Sequence, residues 1–526
     1  MKQPITLMDS TENILSRRIE ELETENAQLR SENQYLREEL SGFKATLEAK
    51  IAQAVAQATA PLKLEISRLT QENLKLKAML DKNSGNSSKP PSSDRFSRSK
   101  KPIPNNRQST GRSPGGQDGH EGHRLAMPSQ EELIEMIEDG AARVEVVDHT
   151  GGSSDFVEKW EIEIDIVTVF KRHLFKRGEV PPEYNNEVTY GDSVKALATL
   201  LSNECYVGHE RLAEVIGYLT SGAINLSDAT LIKFSRDFAR GLSGEIPVIT
   251  EDLLAGPVIN TDESPMRCAQ TLKYDEEGQN PEIVSEKGKS YQVITRTYVN
   301  GDTALFTVNP QKDIDGVERD RILSEYNGTI CHDHDTKFYN FGGRLDGHGD
   351  CGSHLLRTLK GLEELQRIGW AGEAREFFSG MNSYKNQDLG NGAMFCDPRV
   401  LYGYEKRYDE LVSSGRAQLA GMDKNSHGYE EFNAMLNRLT TYKTPYMLFM
   451  RDYAVPFTNN AAERSLRAEK NKEKICGCFR SWQGIVDYVT TRSFITTVKM
   501  RGLNLMGSIR KIFRGRPVLA SGVYSL

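Results

Sequence analysis

Leu15, Leu22, Leu29, Leu36 and Phe43 recur every seven residues, and Ile19, Asn26, Asn33, Leu40 and Leu47 form a second row offset by four. This is an a/d heptad seam with Glu, Arg and Gln on the other faces. A stripe so narrow cannot be buried by its own helix. The N-terminal region is therefore constrained to a long helix that needs a partner, and the seam predicts a coiled coil. Asn26 and Asn33 fall at a positions, where an Asn pairing with its mate across a parallel dimer fixes register at a cost in stability. The Ala/Gln-rich stretch 52–60 and Pro61 are expected to break the register. A second short seam follows at Leu62, Ile66, Leu69, Asn73, Leu76 and Leu80. Residues 1–81 read as a coiled-coil dimerisation region, and the chain as a homo-oligomer through it.

At Lys82 the composition changes abruptly. Residues 82–125 are rich in Ser, Gly, Pro and Asn and hold no apolar periodicity, so they read as a disordered linker without a core. The linker is basic: Lys82, Lys89, Arg95, Arg98, Lys100, Lys101, Arg107, Arg112 and Arg124 face only Asp94, Asp118 and Glu121. A flexible cationic arm gains affinity for DNA by releasing condensed counterions. On composition alone a solubilising tether fits equally well. The net charge of −7 argues against nucleic acid only as a sum, and a sum hides local patches.

The remaining composition bounds the class. A chain of 526 residues allows three or four domains. No apolar run approaches the roughly 20 residues of a membrane span. Met1-Lys2-Gln3-Pro4 leads into a charged helix and not an apolar signal core. Seven cysteines make no disulfide framework, and their odd count points to reduced thiols and a cytoplasmic protein. Gly288-Lys289-Ser290 is not a phosphate loop, because Ile283 stands where the upstream glycine is required, so no nucleotide is expected.

Globular pattern resumes near Ala126. Ile162, Ile164 and Ile166 alternate with acids as a half-exposed strand, so 126–190 is expected to be a small strand-containing domain. Residues 191–250 read as helical, a DNA-binding or connector region. Within 251–526, strands are expected around Val258–Asp262, Tyr291–Thr295, Thr303–Val308 and Thr329–Asp333. Asn300-Gly301-Asp302 turns a hairpin between two of them. A helix is plausible at Val317–Tyr326. After Asp333 the pattern is helical, with loops near Gly380–Gly392 and Gly415–Gly428 and a helical insertion near 365–450. The fold class is α+β.

Two apolar strands end in an acid, Asp262 and Asp333. An acid there is costly unless it meets a cation or a donor, and two of them in one α+β region suggest a metal pair. The best third member is Glu463 in Asn459-Asn460-Ala461-Ala462-Glu463-Arg464. On spacing alone, Glu463 also fits as the third helical residue of a capping box begun by Asn460. Glu263 competes with Asp262, although neighbours on a strand point to opposite faces. Asp335 shares a face with Asp333, and spacing cannot separate them.

Six stretches stand in an order seen in one family. They are Asn86-Ser87-Ser88-Lys89-Pro90-Pro91-Ser92-Ser93-Asp94, the glycine run through Gly122-His123, Thr261-Asp262-Glu263-Ser264, His332-Asp333-His334, Cys351-Gly352-Ser353-His354-Leu355-Leu356-Arg357, and Asn459-Asn460-Ala461-Ala462-Glu463-Arg464. The chain resembles a TnpC-type transposase of the insertion-sequence-sixty-six family, from the first heptads almost to the C-terminus. That resemblance implies an RNase H-like core with an Asp-Asp-Glu triad at Asp262, Asp333 and Glu463. It implies a bacterial DNA transposase that cleaves 3′-ends of an insertion sequence and joins them to target DNA, with accessory proteins of the same element as further partners. A non-catalytic coiled-coil DNA binder, or a metal-dependent nuclease without strand transfer, are the competing functions. Many relatives carry a Cys-x-x-Cys zinc module after the glycine run. Here no cysteine precedes Cys205, so no zinc is expected, and Ser264 stands where Thr is usual.

Carboxylates of such a triad suit two hard Mg²⁺ or Mn²⁺ ions for phosphoryl transfer. Cys351 and His354 form a Cys-x-x-His that would need two more soft ligands, such as Cys476 and Cys478, to hold zinc. The favoured reading is that Cys351 packs and His354 hydrogen-bonds beside the acids. Arg464, Arg467, Lys470, Lys472, Lys474 and Arg480 crowd around Glu463 as candidate phosphate contacts, together with Lys100 and Lys101 of the arm. Lys499, Arg501, Arg510, Lys511, Arg514 and Arg516 form a second basic strip.

Overall fold

The computed structural model describes residues 8–83, 85–87, 127–138, 142–149, 151–152, 154–155, 157–164, 166–184, 186–275 and 278–519. Most of the expected linker, with Lys100 and Lys101, lies outside the described residues. The chain is α+β, an N-terminal helix followed by a C-terminal region built on a mixed sheet. Among the described residues no helix is long and apolar enough to cross a membrane.

Helix α1 (Met8–Asp81) is one unbroken helix of 74 residues. The helix runs on through 52–60, where a break of the heptad register is expected, and Pro61 lies inside it. A proline removes one backbone hydrogen bond and crowds the preceding turn, which helix on both sides can absorb. After it, α2 (Gln130–Glu138) is short. The expected strand domain over 126–190 does not form: among the described residues this stretch holds no strand, and Ile162, Ile164 and Ile166 are 59%, 88% and 51% exposed. Alternation decides which side chains share a face. A strand also needs a neighbouring backbone to complete its ladder, and among the described residues this stretch pairs with none.

Helices α3 (Asp192–Asn203), α4 (His209–Leu219) and α5 (Asp228–Gly241) close on Leu212, Ile216, Leu231 and Phe234. Helix α6 (Glu245–Ala255) leads into the sheet. The strands are β1 (Val258–Cys268), β2 (Thr271–Lys273), β3 (Glu282–Val284), β4 (Tyr291–Asn300), β5 (Thr303–Asn309), β6 (Thr329–His332) and β7 (Gly347–Asp350). Strands β2 and β3 pair only with each other, and the main sheet has the order β5-β4-β1-β6-β7. Strand β1 is antiparallel to β4 and parallel to β6, and β6 is parallel to β7. Gly301 (φ 50°) and Asp302 make the two-residue turn between β4 and β5. The expected helix at 317–326 is two pieces, α7 (Ile314–Arg319) and α8 (Ile322–Glu325), parted by left-handed Arg321 (φ 61°).

Helices α9 (Gly352–Glu364), α10 (Trp370–Gly390), α11 (Pro398–Ala420), α12 (Tyr429–Thr441) and α13 (Lys443–Arg451) follow β7. Gly380 sits inside α10, so the loop expected from that glycine begins only at Asn391. These helices enclose their own core around Trp370, Phe378, Tyr408, Phe432 and Met447. The chain returns to the sheet through α14 (Asn460–Ser465), α15 (Arg467–Cys476), α16 (Trp482–Met500) and α17 (Leu505–Phe513). Helix α16 covers the sheet edge. Ser493 Oγ accepts Phe306 N–H (2.9 Å), and Thr497 Oγ1 accepts Ala304 N–H and donates to Ala304 O (both 3.1 Å). The outward groups of Ala304 and the outward N–H of Phe306 are thus satisfied by side chains of α16, which covers this part of the edge.

Candidate active site

Strand β1 lies at the centre of the sheet, and its register with β6 pairs Val258 with Thr329, Ile259 with Ile330 and Asn260 with Cys331. Asp262 lies two residues past the last of these pairs on β1, Asp333 lies two residues past it beyond the end of β6, and the Asp333 charge acts on Asp262. Asp262 does not end its strand as expected, because β1 continues to Cys268 against β4. Asp333 directly follows β6.

Both acids carry the electrostatic mark of this placement. Burial pushes Asp262 up to about 7, with the charges of Asp333 and Glu463 adding to it. The Glu263 N–H (2.8 Å to Asp262 Oδ1) and the charge of Lys470 oppose that shift. Burial also raises Asp333, and the negative Asp335 adds to it. Desolvation and neighbouring negative charge both disfavour the ionised form of a carboxyl, which is the pattern of a functional site.

The competitors of these two acids are engaged elsewhere. Glu263 pairs with Arg296 (2.9 Å), Lys337 and Lys312 (3.3 Å), and Arg296 continues to Asp320. Asp335 caps the short turn Thr336–Phe338 and pairs with Lys337 (3.0 Å) and Lys312 (3.2 Å). Burial raises Asp335, but these lysines outweigh it and bring it down to about 2. Among the described residues no cation pairs with Asp333 in this way. His334, between the two acids, is left-handed (φ 68°), a conformation that costs a non-glycine residue roughly 1–3 kcal/mol. The bond between its Nδ1 and Asp350 Oδ2 (2.7 Å) and the rings of Tyr442 and Tyr446 hold it there.

Glu463 sits on α14, and the capping box is not formed. The residue at the helix start is Asn459, one earlier than expected, and its side chain makes no cap. Instead Asn459, fully buried, donates from Nδ2 to Thr261 O (2.7 Å) and from its backbone N–H to Cys351 Sγ (3.2 Å). It ties the Glu463 segment to β1 beside Asp262 and to the start of α9. In the sequence Asn459 carries no signal of this role, since the capping pattern points to its neighbour Asn460.

Helix α9 presents three groups to Glu463 Oε1: Cys351 Sγ at 3.9 Å, His354 Nδ1 at 3.6 Å and Arg357 Nη2 at 3.9 Å. The ligand atoms of Cys351, His354 and Glu463 all lie within 4.8 Å of one another, a group that does not include Cys476 or Cys478. Arg357 also lies 3.3 Å from His354 Nε2 and donates there, so Nδ1 carries the imidazole proton toward Glu463. Burial, and then Arg357, push His354 down to about 4. Arg357 ends the Cys351–Arg357 stretch, and nothing in its local spacing marks it as a site residue.

The basic residues divide. Arg464, Arg467, Lys470, Lys474 and Arg480 are exposed. Lys472 is half-buried, donates to Ser202 O (3.2 Å) and lies over the Tyr488 ring, so it serves packing. Of the second strip, Arg501 pairs with Asp252 (2.6 Å), Arg510 and Arg514 with Asp192 (3.1 and 2.7 Å), and Lys499 with Glu204. These cations hold α16 and α17 to α3, α6 and the residue after α3.

A family model described as Transposase IS66 family matches residues 187–487, a span that contains Asp262, Asp333 and Glu463. A second, described as a family of unknown function (DUF6444), matches residues 11–126. No curated protein matches the chain.

Proposed function

The chain belongs to the IS66 transposase family, and from that premise we propose that it binds the ends of an insertion sequence, cleaves their 3′-ends and joins them to target DNA. The observation that supports this reading is that Asp333, just past β6, and Glu463, on α14, both act electrostatically on Asp262 in mid-strand β1. The main sheet supports an RNase H-like reading. It has an antiparallel arm on one side of β1 and two parallel strands on the other.

A half-buried set of carboxylate oxygens fits a hard divalent cation. Asp262, Asp333 and Glu463 would hold two Mg²⁺ or Mn²⁺, which when bound would activate the attacking hydroxyl and stabilise the leaving oxygen. The chain's own residues do the rest. His354, Arg357 and Cys351 orient Glu463. Asn459 holds the Glu463 segment against β1. Lys470 and Arg467 draw the phosphodiester backbone toward the acids, the planar Arg fork matching phosphate oxygens. The partners are double-stranded element ends, target DNA, a second copy of the chain through α1 and accessory proteins of the element.

Incubation of a labelled element-end duplex with Mg²⁺ tests this. Wild type cleaves and joins. Asp262→Ala binds the end in a gel shift but releases no 3′-end. Cleavage by Asp262→Ala at the wild-type rate would end the proposal.

A further inference from the structure

Helix α1 carries two functional faces. From Leu15 to Leu47 the apolar stripe follows heptads. From Leu47 the spacing becomes four, four and three, twice over: Leu47, Ile51, Val55, then Ala58, Leu62, Ile66, then Leu69. Heptad spacing resumes through Asn73, Leu76 and Leu80. The stripe therefore never breaks. Two 11-residue repeats carry it past Pro61, and such repeats unwind the left-handed supercoil that heptads impose. The unbroken helix agrees with this spacing. The large apolar residues from Leu47 to Leu80 on this stripe are 46% to 84% exposed.

The other face is occupied by the chain's own insertion. Gln71 Oε1 accepts the His427 N–H (2.8 Å), and Ala78 is buried. Ser67, Arg68, Glu72 and Lys75 line a cleft with Asp423 and Asn425. Just past α1, Asn86 O lies so close to Gly361 of α9 that a Cβ there would stand 2.5 Å from it. Gln71 and Ala78 each follow a stripe residue, Leu69 and Leu76, by two positions, which is about 200° around a helix. The docked face and the stripe are therefore opposed.

We infer that the stripe from Leu15 to Leu80 is one continuous parallel interface with a second copy of this chain, while the opposite face at Gln71–Ala78 clamps each catalytic region, so that the dimer holds two catalytic regions at a set spacing. This deepens the dimer reading above and rests on it. A second copy in the same register is the occupant because Asn26, Asn33 and Asn73 lie in the stripe. Only a parallel partner in the same register sets each Asn opposite its mate, whereas other occupants bury an unpaired amide.

Disulfide trapping tests the register, with Cys205, Cys476 and Cys478 replaced by Ser to remove exposed or half-buried thiols. Under mild copper-phenanthroline oxidation, Val55→Cys and Ala58→Cys should form dimers roughly tenfold faster than Ala54→Cys and Gln57→Cys, because only thiols facing across the seam meet disulfide geometry. A strict heptad carried past Leu47 gives the reverse, and no trapping at any of the four removes the interface. Either outcome overturns the inference, and neither depends on whether the chain cuts DNA. For the clamp, Ala78→Arg should leave the sedimentation mass at two copies while His427 amide exchange quickens by about tenfold, the loss of one hydrogen bond. Gln71→Ala, too small a change to unfold the helix, should do the same. A fall in mass would mean one face serves both contacts, and unchanged exchange in both variants would mean the clamp does not form.

Discussion

Glu469 shows what a single buried charge does here. It is fully buried on α15, neither carboxylate oxygen makes a hydrogen bond among the described residues, and Arg492 Nε stands 3.8 Å away. Burial raises it from 4.5 to about 7 against the pull of Arg492. Between those values the folded chain holds a proton that the unfolded chain has lost. Stability should therefore be full below pH 4.5 and fall as pH rises to about 7, by roughly 3 kcal/mol from this group. Glu469→Gln should flatten the pH dependence of urea midpoints over that window, and an unchanged slope would show that Glu469 stays ionised. At the same scale, Asp333→Ala and Glu463→Ala should lose cleavage and joining and keep end binding. Asp335→Ala, which unties Lys337 and Lys312, should lower activity only partly. Retained joining by Asp333→Ala with loss in Asp335→Ala would exchange their roles. The sequence offered both acids at equivalent spacing. Nothing local to His332–Asp335 says that lysines at 312 and 337 will claim the second.

Helix α15 has two faces that its sequence presents as one basic run. Arg467, Lys470 and Lys474 point outward, whereas Ala468 and Glu469 are buried and Lys472 reaches Ser202. Arg467→Ala and Lys470→Ala should each weaken DNA binding and reduce the logarithmic salt slope by about 1, as expected for one phosphate contact. Lys472→Ala should leave that slope alone and cost about 1–2 kcal/mol in chemical denaturation for the lost bond and packing. A reduced slope in Lys472→Ala would place that side chain on phosphate instead. The short break at Leu466 separates α14 from α15, so Glu463 and Arg467 do not share one continuous helix as simple i+4 spacing suggests.

For the whole molecule, a net charge of −7 and affinity for DNA are compatible because charge acts locally, within a Debye length of about 8–10 Å. The second basic strip contributes less than its composition suggests, since Lys499, Arg501, Arg510 and Arg514 are neutralised by internal acids. The arm and the outward face of α15 should carry the binding. Replacing Arg95, Arg98, Lys100 and Lys101 with Ala should flatten the salt dependence and reduce affinity on element-end and random DNA alike, because lysine and arginine contacts to phosphates do not read base edges. An unchanged slope in filter binding would reduce the arm to a tether. Periodicity alone determined the long N-terminal helix with its exposed seam and strands β1, β4, β5 and β6 of the main sheet, because those depend on neighbours within a few residues, whereas it did not mark β7 and left Asp333 and Asp335 equivalent. Only the tertiary structure decided that Asn459 braces the site where a cap by Asn460 is expected, that Lys472 turns inward and that the described residues of 126–190 form no strand. Each of these depends on a group supplied from far along the chain, where local spacing carries no information.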